Sequence, residues 1–178
     1  MSACTGVLRV NGEFRLLSLE PMAKGSTVLT IVGHTTSTPT RHSLQIGPSH
    51  HIDVTDIDDP LELMDVYFWR FLNHHCEPNL AINGIEVIAI REIAAWEELT
   101  FNYNTTEFEL IEPFDCRCGS PICGGRIRGF VALSEPERSE LMPWVAPHLK
   151  SLVTNGDSGP EQTPTDTSDI DEIRNAIV

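Results

Sequence analysis

The sequence predicts a mostly β protein of several small antiparallel sheets with few short helices. Residues 7–17 and 80–88 each alternate apolar and polar side chains around an Asn-Gly pair, Asn11-Gly12 and Asn83-Gly84. Asn-Gly is the strongest short hairpin signal, because the favoured two-residue turn wants positive φ at both positions. The chain also lacks the regular strand–helix alternation from which a parallel sheet is built.

After the first hairpin, short strands are expected at 27–32 and 43–46. A helix follows: Asp58 or Asp59 can cap it, Pro60 fits its first turn, and Leu61, Met64, Phe68 and Phe71 recur at helical spacing. The second hairpin comes next, then a strand at 99–103. A further helix is expected at about 135–142, opened by Ser134, with Pro136 in its first turn and Glu137 completing a capping box. Pro143 and Pro147 limit its continuation. From Ser151 onward Gly, Pro, Thr, Ser and Asp dominate, and 151–178 is expected to be an acidic disordered tail.

With 178 residues, 40% hydrophobic and 21% charged, the chain can build one domain with a real core. No apolar run approaches the roughly 20 residues of a membrane helix, and the N-terminus has no basic region followed by an apolar one. A soluble protein with no membrane association is expected. Cys4 stands alone and Cys76 lies mid-chain, whereas Cys116, Cys118 and Cys123 are bunched around Gly and Pro. That spacing makes a poor disulfide framework and a good thiolate cluster. Zinc in a reducing intracellular compartment, cytoplasmic or nuclear, is the expectation.

The net charge is −14, and of the 26 acidic residues six lie beyond residue 150, where Arg174 is the one basic residue. Both parts repel a phosphate backbone, so direct nucleic-acid binding is not expected and a basic partner is. Acidity for solubility alone is the other reading.

Three segments carry more. They are Arg70-Phe71-Leu72-Asn73-His74-His75-Cys76-Glu77-Pro78-Asn79, then Glu98-Leu99-Thr100-Phe101-Asn102-Tyr103, then Cys116-Arg117-Cys118-Gly119-Ser120-Pro121-Ile122-Cys123. In this order they resemble the Asn-His-x-Cys-x-Pro-Asn motif, the Glu-Leu-Thr-Phe-x-Tyr strand and the cysteine-rich post-SET tail of the SET family of S-adenosylmethionine-dependent lysine methyltransferases. The resemblance covers roughly residues 7–130.

The resemblance implies a SET fold with a pseudo-knot, in which the first two segments thread past each other. It divides residues 1–130 into a SET domain at 1–104 and a post-SET zinc-binding segment at 105–130, and the helix signals add a C-terminal helical segment at 131–150 before the tail. It implies transfer of a methyl group from S-adenosylmethionine to a lysine of a basic protein or peptide, a histone or another lysine-bearing protein. Asn73 and His74 are then cofactor-binding, Tyr103 is catalytic, and Phe101 lines the lysine channel where the number of methyl groups is set. Phenylalanine has no hydroxyl to hold a water there, which hints at more than one methyl. Cys76, Cys116, Cys118 and Cys123 hold a structural zinc, and Ile127 packs on the adenine. Cys4 is left over.

Two positions depart from the family pattern. Glu13-Phe14-Arg15 falls where a Gly-x-Gly usually lets the backbone approach the cofactor, and His42 falls where a tyrosine often lines the channel. A histidine there can hold or deprotonate an amine near neutral pH. A degenerate SET protein that binds without turnover, and a SET-fold enzyme with a small-molecule acceptor, remain open beside the main reading. Specificity is expected from the insert at about 34–60 or from a partner.

Overall fold

The computed structural model describes residues 4–55, 57 and 59–154. It opens on β1 (Thr5–Val10) and β2 (Glu13–Ser18), antiparallel from Thr5↔Ser18 to Val10↔Glu13. Asn11 and Gly12 close the hairpin with φ of 52° and 91°, the left-handed pair that the turn demands. β3 (Thr27–Thr30) is shorter than expected, although Ile31 still donates its N–H to Ile85 O at 2.8 Å. β4 (His34–Thr36), β5 (Leu44–Gln45) and β6 (His51–Asp53) form an antiparallel sheet in the order β4-β6-β5.

The first helix, α1 (Pro60–Asp65), starts as expected, with the Asp59 carboxylate accepting the Leu61 N–H at 2.9 Å. It does not run on to Phe71. Tyr67 leaves the helical path at φ −107°, ψ 29°, and a 3-10 turn takes Phe68–Phe71. The reason is packing: Phe68 and Trp69 are buried, and the Trp69 indole N–H donates to Val32 O at 2.8 Å. Leu61, expected on the inner face, is 68% exposed. Tertiary burial of two aromatics overrides local spacing.

β7 (Asn73–His74) leads to β8 (Leu80–Asn83) and β9 (Glu86–Ala89), and β3 completes a sheet in the order β3-β9-β8. The β8–β9 turn is Gly84-Ile85, one residue later than the Asn-Gly pair, and of these two Gly84 alone takes positive φ. β10 (Thr100–Phe101) pairs with β7 in parallel, an exception to the antiparallel expectation. The strand expected at 99–103 stops at Phe101. Asn102 Oδ1 accepts the Asn104 N–H at 3.1 Å and caps a 3-10 turn, so Tyr103 opens that turn instead of ending a strand.

β11 (Phe114–Asp115) and β12 (Arg126–Ile127) pair antiparallel. α2 (Glu135–Leu141) has the expected capping box, the Glu137 carboxylate taking the Ser134 N–H at 2.8 Å. Pro147 then opens α3 (Pro147–Thr154), a helix the sequence reading did not separate. Because α3 runs past residue 151, the expected tail boundary is placed too early. The remaining expected tail, 155–178, lies outside the described residues.

The main core gathers Leu16, Ile31, Leu80, Val87, Ile93 and Leu99, each almost without exposure. A smaller cluster of Phe130, Val145 and Leu149, flanked by Phe108, Leu141 and Leu152, seats α2 and α3. Beside that cluster Gly129 packs closely against the backbone of 108–109: at φ 105° a Cβ there would lie 2.7 Å from both Phe108 O and Glu109 Cα. Among the described residues no helix is long and apolar enough to cross a membrane.

Candidate active site and metal centre

The two chemistry-bearing segments are locked together before any side chain of the site is considered. Asn79, 1% exposed, accepts the Thr100 N–H at 2.9 Å and donates to Glu98 O at 2.7 Å. His75 N–H donates to Phe101 O at 3.1 Å, extending the parallel pairing of Asn73 with Thr100 and His74 with Phe101. Asn79 uses both ends of its amide, which an aspartate or leucine cannot do.

This junction brings an aromatic group together. The Tyr103 ring lies 4.7 Å from Phe101, and edge-on to His74 and Phe114 at 5.3 and 5.9 Å. Its hydroxyl donates to Leu72 O at 2.9 Å. Burial, with the carboxylates of Glu107 and Glu98 adding to it, pushes the phenol above its ordinary range and keeps it protonated. His74 Nδ1 accepts the Tyr103 N–H at 3.2 Å, so its proton sits on Nε2, 3.4 Å from Cys76 Sγ. Burial and then neighbouring His75 bring His74 down to about 4, leaving a neutral ring.

Asn73 is already engaged. Its Nδ2 donates to Phe14 O and to Glu98 Oε1, both at 2.9 Å, and Glu98 pairs with Arg15 at 2.9 Å. Oδ1 is the part of its amide that accepts no hydrogen bond among the described residues. The departing residues 13–15 therefore form a wall: the Phe14 ring packs on Phe71 at 5.1 Å and carries Arg9 over its face at 5.3 Å.

Cys76, Cys116, Cys118 and Cys123 converge, all four Sγ atoms within 4.8 Å of one another. Cys76 lies 3.9 Å from both Cys116 and Cys123. Four sulfurs around a tetrahedral zinc at about 2.3 Å would be about 3.8 Å apart, so the donor set and spacing fit that ion. Ile127 is buried opposite Phe114 and borders a cavity of about 200 Å³ shared with Cys76, Asn102, Asn104, Leu133 and Leu141. Asn73 and His74 do not line that cavity.

His42 stands apart. It occupies an exposed turn before β5, its N–H donating to Thr40 Oγ1 at 3.1 Å. Partial burial, then Arg70 and Arg41, lower its pKa. It makes no hydrogen bond or ring contact with Phe101 or Tyr103.

Three contributors escaped the sequence reading. Leu72 acts through a carbonyl, which no residue type marks. Asn79 and Glu98 were visible inside the quoted segments, but their roles as latch and as partner of Asn73 require the fold.

The SET domain family model matches residues 13–104, just over half of the chain, and the chain belongs to that family. A methyltransferase of Aspergillus flavus, flvH, is 31% identical over 115 residues, covering 62% of this chain and 57% of its own. The histone-lysine N-methyltransferase ash1 of Drosophila melanogaster is 33% identical over 124 residues, 61% of this chain and 6% of its own. The crystal structure of KRYPTONITE in complex with mCHG DNA and SAH aligns at a TM-score of 0.53 with 25% identity, over 67% of this chain and 28% of that one. The chain thus spans little more than half of the first relative and a small part of the others. The fold is the SET fold, mostly β in several small sheets with few short helices.

Proposed function

We propose that this protein is a lysine N-methyltransferase that uses S-adenosylmethionine. One observation carries the reading: the parallel pairing of β7 and β10 gathers Tyr103, His74 and Phe101 at a single point, within a chain of the SET family. Relatives named as methyltransferases support it.

The cofactor supplies a methyl group activated on a sulfonium; as the amine forms its bond to that carbon, the carbon–sulfur bond breaks and the amine releases a proton. The demands on the protein are alignment and exclusion of water. The Tyr103 hydroxyl hydrogen is committed to Leu72, so its lone pairs are what it offers, to an amine N–H or to CH donors. Phe101 gives the channel an apolar wall without a water-holding hydroxyl. Asn73 offers Oδ1, an acceptor suited to an ammonium, and His74 holds the Tyr103 backbone in place. Ile127 is assigned to the adenine and His42 to the mouth of the lysine channel. The four cysteines hold a closed, structural zinc that ties the segment at 105–130 to the SET domain at 1–104, with the helical segment beginning at 131.

The acceptor inferred is a basic protein or peptide, since the chain carries a net charge of −14. A histone is the leading class, in the nucleus or cytoplasm. The expectation against nucleic-acid binding rests on that charge alone, and the solved KRYPTONITE structure does include DNA. The rival reading, a degenerate SET protein that binds cofactor or a partner without turnover, draws on the departures at 13–15 and at His42, with the Asn73 amide engaged by Phe14 and Glu98. Incubation with methyl-labelled cofactor and histones, basic peptides or cell extract decides between them. Labelled protein is expected; cofactor binding with no label anywhere favours the rival.

A further inference from the structure

Gln45 on β5 and the segment just after Tyr103 hold each other by two reciprocal bonds. Gln45 N–H donates to Glu107 Oε1 at 2.9 Å, and Gln45 Oε1 accepts the Phe108 N–H at 2.8 Å. Both residues are buried. Glu107 is tied equally firmly to Tyr103, because the N–H groups of Thr106 and Glu107 donate to Tyr103 O at 3.2 and 3.0 Å. Glu107 O accepts the Phe130 N–H at 2.8 Å, and His148 Nε2 on α3 donates to Thr106 O at 2.8 Å.

A buried carboxyl is a costly way to fill space. Its chemical neighbours are one backbone N–H, the Thr106 side chain and His51 Nε2 on β6 at 3.9 Å, and a leucine or methionine would pack there without loss of solvation. A carboxyl does what those cannot: it accepts the Gln45 N–H at a fixed point, where that donor would otherwise be buried without a partner. The clasp therefore joins the β4–β6 sheet, which lies in the expected specificity insert, to the tyrosine.

We propose that Glu107 is a positioning residue that fixes Tyr103 relative to the β4–β6 sheet, so that the acceptor-facing insert and the catalytic hydroxyl move as one body. This rests on the role of Tyr103 given under the proposed function. Loosening the clasp misaligns the hydroxyl while leaving Asn73 and the cysteines untouched, so turnover suffers more than cofactor binding.

The test uses the full chain with Glu107→Ala and Glu107→Gln, the amide keeping an oxygen that can accept from Gln45. Glu107→Ala is expected to lower kcat by about tenfold or more, with KM for S-adenosylmethionine within about twofold of wild type, and Glu107→Gln to restore most of the loss. Hydrogen exchange on the same samples should show faster exchange at Gln45 and at 103–108 in Glu107→Ala, confined to those residues, and near-wild-type protection in Glu107→Gln. Unchanged exchange at Gln45, or equal losses of kcat in both variants, overturns the proposal. If wild-type protein transfers no methyl to any acceptor, the enzyme reading fails by itself, and the exchange pattern still decides whether Glu107 holds the Tyr103 segment.

Discussion

The Tyr103 hydroxyl donates to the carbonyl of Leu72 at 2.9 Å, bridging 31 positions of sequence. Leu72 immediately precedes Asn73, so this bond ties the end of one motif to the start of the other at the place where β7 and β10 run parallel. It orients the phenol through the protein's own contacts, and positioning is a large part of what a displacement at carbon demands.

The cysteine cluster should retain one zinc per chain through purification, measured by elemental analysis. Cys123→Ser should lower both zinc content and melting temperature, because metal affinity and folding of the 105–130 segment are coupled. Protein with no zinc and undiminished stability in the variant would remove the metal centre.

Glu107 gives a pH dependence with a definite sign. Burial, its largest cause, raises this carboxyl to about 7 from an ordinary 4.5, although bonds from Gln45 and Thr106 pull it back. A raised acid contributes stability that is present below about pH 4.5 and lost as pH rises through about 7, on the order of 3 kcal/mol. His51 on β6 and His148 on α3 are lowered, chiefly by burial, and act in the opposite direction as pH falls. Comparing Glu107→Gln with wild type cancels the His148 contribution, and a second comparison in a His51→Gln background removes that of His51, which lies 3.9 Å from Glu107. The variant should gain stability relative to wild type between pH 5 and 8 in thermal melts; a constant difference across that range would count against the raised carboxyl.

Much of this architecture was legible in sequence because it depends on local chemistry. Asn11-Gly12 dictates its own turn, and Ser134 with Glu137 dictates its own cap. Cys116, Cys118 and Cys123 could be grouped by type and spacing, whereas Cys76 joined them only through the family resemblance. What could not be read depends on partners distant in the chain. Helix α1 stops early because Phe68 and Trp69 are drawn into a core assembled from elsewhere, and Trp69 bonds to Val32. The strand ends at Phe101 because Asn102 turns its side chain back on Asn104. His42, chosen by resemblance to a channel position, sits on an exposed turn in the field of Arg70, Arg41, Asp53 and Glu112.

Helix α3 sets a boundary for truncation. Leu152 packs against the cluster of Phe130, Val145 and Leu149, so a chain ending at Lys150 should melt a few degrees below one ending at Thr154, as expected from about 1 kcal/mol of lost apolar burial. Equal melting temperatures for the two truncations would show that the last turn of α3 contributes nothing.

His42 is tested by paired replacement. If it borders the lysine channel, His42→Tyr should retain or raise methyl transfer and His42→Ala should lower it, with KM for the acceptor changing and cofactor affinity unchanged. Identical activity in both variants assigns the residue to the surface turn, where its N–H bond to Thr40 is independent of the side chain.

The decisive variant is Tyr103→Phe. The ring contacts to Phe101, His74 and Phe114 are made by carbon atoms that phenylalanine keeps, and the His74 bond is made by the backbone N–H. What is lost is the hydroxyl, together with the oriented lone pairs that its bond to Leu72 fixes. Affinity for S-adenosylmethionine, measured by calorimetry, should therefore stay within about twofold of wild type, while turnover falls by roughly a hundredfold or more, the scale of removing one preorganised polar group. Leu72 O is left unpartnered by the change, costing about 1–2 kcal/mol of stability that a thermal melt reads separately. Full activity in Tyr103→Phe would mean that alignment by the aromatic walls alone suffices and that the hydroxyl serves only to hold β7 and β10 together.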